Sequence, residues 1–140
     1  MASHRPTNIS LKSYQEDVFD RQKRIDDWDQ DSLAEGKVLI VGAGALGNEC
    51  SKNLAMAGIG DMTIVDHDVV ELTNLNRCIW FVHEDVGQAK ASVLGKRLNT
   101  QFPYTKTTAI VSKAERLDEG VFQAADVVVT CVDNLGTRLT

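Results

Sequence analysis

The feature that most constrains the fold is a glycine pattern at residues 42–47, which reads GAGALG. It follows directly on residues 38–41, a short and mostly β-branched apolar run that is typical of a buried parallel strand. A helical stretch over residues 45–57 comes next, and Gly58 is placed to cap its C-terminus. A strand, a glycine-rich turn and a helix in this order predict the first half of a βαβ unit.

The rest of the chain continues this alternation of strands and helices. Apolar runs predict strands at 62–65, 105–111 and 127–132, and helices at 87–101 and 117–124. This order indicates an α/β class, with a Rossmann-like parallel sheet and helices on both faces. The fourth strand is apolar throughout and only six residues follow Asn134, so we expect an incomplete sheet with an exposed edge, to be completed by further chain or by a second polypeptide.

Three segments are predicted along the chain. Residues 1–10 carry no periodic pattern and are expected to form a flexible tail. Residues 11–36 are expected to form short helices, since apolar residues stand at 11, 14, 18 and 25 and again at Trp28 and Leu33. Residues 37–140 form the Rossmann-like domain, or its amino-terminal portion.

Composition excludes several functional classes. The chain has 20 acidic and 15 basic residues and a net charge of −5, which argues against a dedicated nucleic-acid module. It has no apolar run long enough to span a membrane and no secretory signal. Three widely spaced cysteines without a CxxC pair exclude a disulfide framework and a local zinc signature. We therefore expect a cytoplasmic protein that binds neither nucleic acid nor membrane.

Parallel sheets bind ligands at the carboxyl ends of their strands, so the residues there are candidates for function. Gly42 permits a tight turn, Gly44 lets a phosphate approach the backbone, and Gly47 lets the helix pack against the strand. Asp66 ends the second strand, where a carboxylate can accept hydrogen bonds from ribose hydroxyls, although Asp68 competes with it for this role.

Further charged residues follow the other strands. Arg77 and Lys90 come after the second strand, and Asp133 comes directly after the fourth. A dinucleotide such as NAD needs only the glycine loop and one ribose acid. A triphosphate also needs cations for its phosphoryl oxygens and a carboxylate for Mg²⁺. The residues therefore favour a nucleoside triphosphate, with an NAD-dependent oxidoreductase domain as the alternative.

Four segments resemble a known family. They are KVLIVGAGALGNE, DHDVVELTNLNR, VGQAK and CVDN, and they occur in this order within residues 20–140. The sequence resembles the adenylation domain of ubiquitin-like-protein activating enzymes, the superfamily that includes the MoeB and ThiF sulfur-carrier activators. The resemblance implies an enzyme that binds Mg-ATP and joins AMP to the C-terminal glycine of a small β-grasp protein, releasing pyrophosphate.

The resemblance also implies a role for each matching residue. Asp66 would hold the ribose, Asn74 and Arg77 would contact the phosphates, and Lys90 would bind and polarise them. Asp133 would ligate Mg²⁺, and Gly42, Gly44 and Gly47 would form the wall beside the nucleotide. Arg24 resembles an arginine that such enzymes insert into the ATP site of a neighbouring subunit, which implies a homodimer or a second chain.

Two departures from the family remain. Many full-length members carry a later catalytic cysteine and a zinc site, and this sequence has neither. A non-enzymatic alternative is an inactive half that supports a heterodimer, but the presence of Asp66, Arg77, Lys90 and Asp133 argues against it.

Overall fold

The computed structural model describes residues 17–133. Four parallel strands form one sheet in the order β3-β2-β1-β4. Their bounds are β1 (Lys37–Val41), β2 (Asp61–Val65), β3 (Lys106–Ile110) and β4 (Val127–Thr130). This all-parallel sheet with connecting helices confirms the predicted α/β, Rossmann-like class. The third and fourth strands are each shorter than predicted from the apolar runs.

The helix after the glycine loop has the predicted bounds. Helix α2 (Ala45–Ala57) ends at Gly58, whose φ of +96° lies in the left-handed region that favours glycine. The N–H of Gly58 donates to the carbonyl oxygens of Leu54 and Ala55, so two carbonyls of the last turn are satisfied.

Helix α3 (Lys90–Gln101) begins three residues later than predicted. Residues 87–89 belong to the preceding loop because the N–H of Gly87 donates to Val70 O and Val69 forms a bridge with Ala89. Gly87 also has a φ of +89°, which a right-handed helix cannot contain. The predicted helix at 117–124 is confirmed as the shorter helix α4 (Glu119–Gln123), and a 3-10 helix (Ala114–Arg116) precedes it.

The N-terminal segment, residues 17–35 of the described chain, packs against the C-terminal end of α2. Residues 1–16, which include the predicted tail and the start of the apolar stripe, lie outside the described residues. Within the described part this stretch contains a 3-10 helix (Gln22–Arg24), and the two described stripe residues, Val18 and Ile25, lie outside that helix and are exposed. Helix α1 (Gln30–Glu35) follows, and the carboxylate of Asp29 caps it by accepting from the N–H groups of Asp31 and Ser32.

Polar and aromatic contacts fix this segment in place. The side-chain amides of Gln22 and Gln30 both donate to Ala57 O, at 2.7 and 3.1 Å. The ring of Phe19 meets that of Tyr104 edge to face, with 4.7 Å between the ring centroids. The segment is therefore held at the C-terminal end of α2.

The sheet is covered on both faces. On one face, Ile40, Met62 and Ile64 pack with residues of α2 and α3 such as Leu94. On the other face, the smaller cluster of Leu39, Val41 and Val65 packs against apolar residues of the segment that contains α4. Among residues 17–133, no helix is long and apolar enough to cross a membrane.

The two outer strands differ. At the outer edge of β3, the side chain of Asn99 hydrogen-bonds the backbone of Thr107. Its Nδ2 donates to Thr107 O at 2.7 Å and its Oδ1 accepts from Thr107 N at 2.8 Å. Strand β4 pairs with β1 alone within the described chain, and its residues Val127 and Val128 are 53% and 41% exposed. Residues 134–140, which follow this strand, lie outside the described residues.

Candidate functional site

A pocket of about 260 Å³ opens where β1, β2 and β4 end. A second pocket of about 340 Å³ adjoins it, shares Gly42, Asp66 and Asp133, and continues along residues 112–115 after β3. The first pocket brings together most of the residues that were predicted from the strand ends. It is lined by Gly42, Gly44, Ala45, Leu46, Asp66, Asp68, Asn74, Arg77, Cys78, Lys90, Cys131, Val132 and Asp133.

Two of the three glycines are required by the fold itself. Gly42 has a φ of +106°, and a Cβ atom there would lie 2.9 Å from the carbonyl oxygen of Cys131. A Cβ atom on Gly47 would lie only 1.9 Å from Gly42 O, because α2 packs directly against the loop. Gly42 therefore makes the turn, and Gly47 permits the close approach of helix and strand.

Gly44 has a different reason to be a glycine. Its φ of −77° and ψ of −156° are open to other residues, and a Cβ atom would meet no protein atom within 4 Å. Neither backbone geometry nor packing requires glycine at this position. The missing side chain leaves room in the pocket directly at the start of α2.

The N-terminus of α2 faces this room with its backbone N–H groups. Gly44 is the N-cap, and no side chain caps the helix there. The first N–H groups of any helix have no partner within the helix and lie at the positive end of its dipole. A loop of this shape at a helix start is a suitable site for an anion such as phosphate.

Asp66 is fixed by two backbone hydrogen bonds. Its Oδ2 accepts from the N–H of Ala43 and its Oδ1 from the N–H of Asp68, both at 2.7 Å. The carboxylate thus ties the glycine loop to the end of β2. Each oxygen keeps a further lone pair on which a ligand hydroxyl can donate.

Two cations and an amide stand on the opposite side of the pocket. Asn74 is buried, and its Oδ1 accepts from Glu71 N at 2.8 Å, which caps the turn that carries Arg77. Arg77 is exposed and donates to Thr73 O at 2.6 Å. The Lys90 side chain is only 12% exposed, and its Nζ lies 3.5 Å from Asp68 Oδ2.

The pocket also contains carboxylate oxygens, which are suitable ligands for a hard cation such as Mg²⁺. Asp133 is exposed and lines both pockets. Asp66, His67 and Asp68 offer one ligand atom each within 4.8 Å of one another. Carboxylate oxygens are the protein ligands that Mg²⁺ prefers, so the acidic residues of the pocket fit this ion.

The cysteines near the pocket are poor nucleophiles. Burial raises the pKa of the Cys78 thiol, although the nearby charges of Arg77 and Lys90 act in the opposite direction. Burial, reinforced by the neighbouring Cys50, raises the pKa of Cys131 to about 11. Both thiols are therefore protonated at neutral pH, and neither has the lowered pKa of a catalytic cysteine.

Arg24 does not line the pocket of its own chain. It lies two residues from Gln22, which contacts Ala57 at the C-terminal end of α2, whereas the pocket is at the N-terminal end. Its guanidinium pairs with Asp20 at 2.9 Å.

Sequence reasoning missed two parts of the site. Residues 112–115 line the second pocket, and the rule that ligands bind at strand ends, applied to β3, would have found them. Asn48 was also missed, although its buried side chain bonds the glycine loop.

Comparison with known protein families supports a relationship over most of the chain. The model of the ThiF family matches residues 19–140. The chain is 38% identical over 125 residues to a sulfur carrier protein ThiS adenylyltransferase of Escherichia coli. This alignment covers 86% of the chain and 49% of the relative. It is 37% identical over 102 residues to the Nedd8-activating enzyme E1 catalytic subunit of Drosophila melanogaster. That alignment covers 73% of the chain and 23% of the relative.

Solved structures give a similar result. A crystal structure of E. coli MccB with AMPCPP and MccA superposes with a TM-score of 0.67 at 33% identity, over 75% of this chain and 32% of that one. E. coli tRNA N6-threonylcarbamoyladenosine dehydratase, TcdA, in complex with ATP, gives a TM-score of 0.70 at 28% identity, over 76% and 44%. The chain thus spans less than half the length of each of these four proteins.

Proposed function

The chain belongs to the ThiF family, and from this premise we propose that it is the nucleotide-binding part of an adenylating enzyme. The proposed reaction uses Mg-ATP to activate the C-terminal glycine of a small ubiquitin-like or sulfur-carrier protein. Homologous proteins are named as enzymes of this kind, which supports the proposal.

One observation carries the proposal more than any other. The pocket beside Gly44 combines an uncapped helix N-terminus with Arg77, Lys90 and two pocket-lining acids on separate loops, Asp66 and Asp133. A dinucleotide needs the glycine loop and one acid. The additional cations suit a triphosphate, whose charge they offset.

In the proposed step, a carboxylate oxygen of the carrier protein attacks the α-phosphorus of ATP. A new oxygen–phosphorus bond forms while the bond from the α-phosphorus to the bridging oxygen breaks, and pyrophosphate leaves with the electron pair. Charge on the leaving group grows in the transition state. A positioned cation such as Lys90 stabilises it more than it stabilises the ground state, which raises the rate.

The two cations have different tasks in this proposal. Arg77 can donate in parallel to two phosphate oxygens, whereas Lys90 acts as a point charge. Before ATP binds, Lys90 is held near Asp68, which keeps its ammonium group within the pocket. We assign Asp66 to the ribose hydroxyls and Asn74, with Arg77, to the phosphates.

We assign Asp133 to Mg²⁺. When bound, this ion neutralises phosphate charge and supports the departure of pyrophosphate. Asp133 follows β4, is exposed and lines both pockets, so its carboxylate is accessible to a nucleotide-bound ion.

We further propose that Arg24 acts on the pocket of a second chain, in a homodimer or with another subunit, in the cytoplasm. Its position at the far end of α2 from its own pocket supports action in trans. Mixed dimers test this. A wild-type partner should restore the active site of an Arg24→Ala subunit, and activity that follows only the subunit carrying Arg24 would contradict the assignment.

The choice between ATP and NAD is tested by thermal unfolding of the full chain. We expect Mg-ATP, and not NADH, to raise the unfolding temperature, because ligands stabilise the folded state that they bind. Protection by NADH alone would favour the oxidoreductase alternative. Absence of ATP–pyrophosphate exchange with every carrier ending in Gly-Gly, in a complete enzyme that binds ATP, would favour the inactive half.

Substitution of Lys90 tests the mechanism. We expect Lys90→Ala in a complete enzyme to slow ATP–pyrophosphate exchange more than it weakens ATP binding, since its contribution grows as pyrophosphate leaves. Lys96→Ala is the matched control, because Lys96 lies on the same helix but does not line the pocket. Weaker binding with unchanged turnover at saturating ATP would contradict the assigned role.

A further inference from the structure

Asn48 connects the two walls of the pocket. It lies in the first turn of α2 and is fully buried. Its Nδ2 donates to the carbonyl oxygens of Ala43 and Gly44, at 3.0 and 2.9 Å. Its Oδ1 accepts from the backbone N–H of Trp80 at 3.1 Å, across 32 positions of sequence. One amide thus bonds both the glycine loop and the segment that follows Arg77.

We propose that Asn48 is a positioning residue for the phosphates of the nucleotide. It acts through the two backbone segments that it bonds and does not touch the ligand. This inference rests on the proposed function, because it assigns the same pocket to ATP.

The first part of the argument concerns the glycine loop. A carbonyl oxygen that faced the pocket would repel a phosphate. The buried amide of Asn48 donates to the oxygens of Ala43 and Gly44, and the backbone N–H of Asn48 also donates to Gly44 O, so these carbonyls point into the protein. The N–H groups of the first turn of α2 are then the loop groups that face the pocket, and the loop presents donors to an anion.

The second part concerns the opposite wall. The segment from Asn74 to Phe81 is a series of tight turns, in which Arg77 N and Cys78 N both donate to Asn74 O and Phe81 N donates to Cys78 O. A shift of Trp80 would therefore be passed to the turn that carries Arg77. By accepting from Trp80 N, Asn48 sets the distance between this turn and the glycine loop.

The position demands an amide in particular. It needs two donors directed at neighbouring carbonyls and one acceptor on the same short side chain, a combination that asparagine supplies. Aspartate would keep the acceptor but lose both donors, and serine is too short to reach both sides. The three hydrogen bonds also explain why a buried polar side chain is tolerated inside the helix–sheet packing.

The experiment uses the full chain with two variants and one control. Asn48→Ser removes both sets of bonds, whereas Asn48→Asp keeps the acceptor for Trp80 N. Asn99→Ser is the matched control, because Asn99 also bonds a backbone N–H and C=O, those of Thr107, but at the outer edge of β3. The measurements are amide hydrogen exchange at Trp80 N and the Kd values of ATP and of adenosine, with Mg²⁺ present.

For Asn48→Ser we expect faster exchange at Trp80 and a Kd for ATP raised about tenfold, with the Kd for adenosine within about twofold of wild type. For Asn48→Asp we expect weaker ATP binding with exchange at Trp80 near the wild-type rate. Asn99→Ser should leave all three values unchanged. Asn48→Asp tests the bonds to the glycine loop separately from the bond to Trp80 N. The proposal can therefore still be tested if one of the two Asn48 variants folds poorly.

Unchanged exchange at Trp80 in Asn48→Ser would overturn the coupling of the two walls. Equal weakening of ATP and adenosine would overturn the assignment to phosphate, since it would indicate a general structural role. A wild-type chain that binds neither ligand would overturn the proposed function, whereas exchange at Trp80 would still decide the coupling.

Discussion

The Gly44→Ala substitution tests whether glycine at this position is required by the fold or by a bound ligand. The added methyl group would meet no protein atom within 4 Å, and the backbone angles at this position are open to alanine. Replacing glycine by alanine at such a position stabilises a protein by about 0.4–1 kcal/mol, by restricting the unfolded chain. Alanine is, however, a poorer N-cap than glycine by about 0.5–1 kcal/mol. The two effects cancel, so we expect an unchanged free energy of unfolding.

Nucleotide binding should respond differently. The methyl group would enter the pocket at the start of α2, where we place a phosphate. Loss of one charge-assisted hydrogen bond between a backbone N–H and a phosphate oxygen costs about 1.5–3 kcal/mol. This cost corresponds to an increase in the Kd for ATP of about 10- to 150-fold.

The assay pairs titration calorimetry with urea denaturation. Gly47→Ala is the contrasting variant, because its Cβ atom would lie 1.9 Å from Gly42 O and should destabilise the fold itself. A Gly44→Ala chain that binds ATP within about twofold of wild type would refute the assignment of phosphate to this loop. A loss of more than about 1 kcal/mol of stability would refute the packing argument.

Three further predictions follow from individual contacts. Asp66→Ala should weaken ATP binding and also lower the free energy of unfolding by about 1–3 kcal/mol, because two backbone N–H groups lose their acceptor; full stability in urea denaturation would contradict this. Asp85→Asn should lower stability by about 1–3 kcal/mol, because buried Asp85 accepts from Arg97 at 2.8 Å; an unchanged denaturation midpoint would count against it. Burial raises the pKa of Cys131 to about 11, so iodoacetamide should alkylate this thiol slowly at pH 8 and faster as the pH rises towards that value. Rapid labelling at pH 8, measured by mass spectrometry, would show that the thiol is not shielded.

Elements with strong local signals were predicted well. Gly47 in the first turn of α2 and Gly58 at its C-terminal end both have a structural reason, and the bounds of the helix were predicted without error. The start of α3 was wrong because the bond from Gly87 N to Val70 O, a contact between distant residues, keeps residues 87–89 in the loop. Residues 17–35 do contain short helices, but Val18 and Ile25 of the apolar stripe are exposed, so their spacing does not report on burial.

The site followed the same pattern. The rule that parallel strands place ligands at their carboxyl ends identified Asp66 and Asp133, which the structure brings into one pocket. Their roles remain predictions. The contribution of Asn48 could not be read from the sequence, because it depends on Trp80, whose position relative to the helix is fixed by the tertiary fold. Asparagine within a helix gives no local sign of such a contact.

The length of α2 has a consequence for assembly. Its 13 residues separate the pocket from the segment that carries Arg24 by about 20 Å, at the rise of an α-helix. In a two-fold symmetric pair, an arginine that enters the neighbour's pocket is matched by the reciprocal arginine, and each copy must then present both ends of α2 to the other. The shared face must therefore extend over at least the length of this helix. A pair joined at one end of α2 alone could not place both arginines.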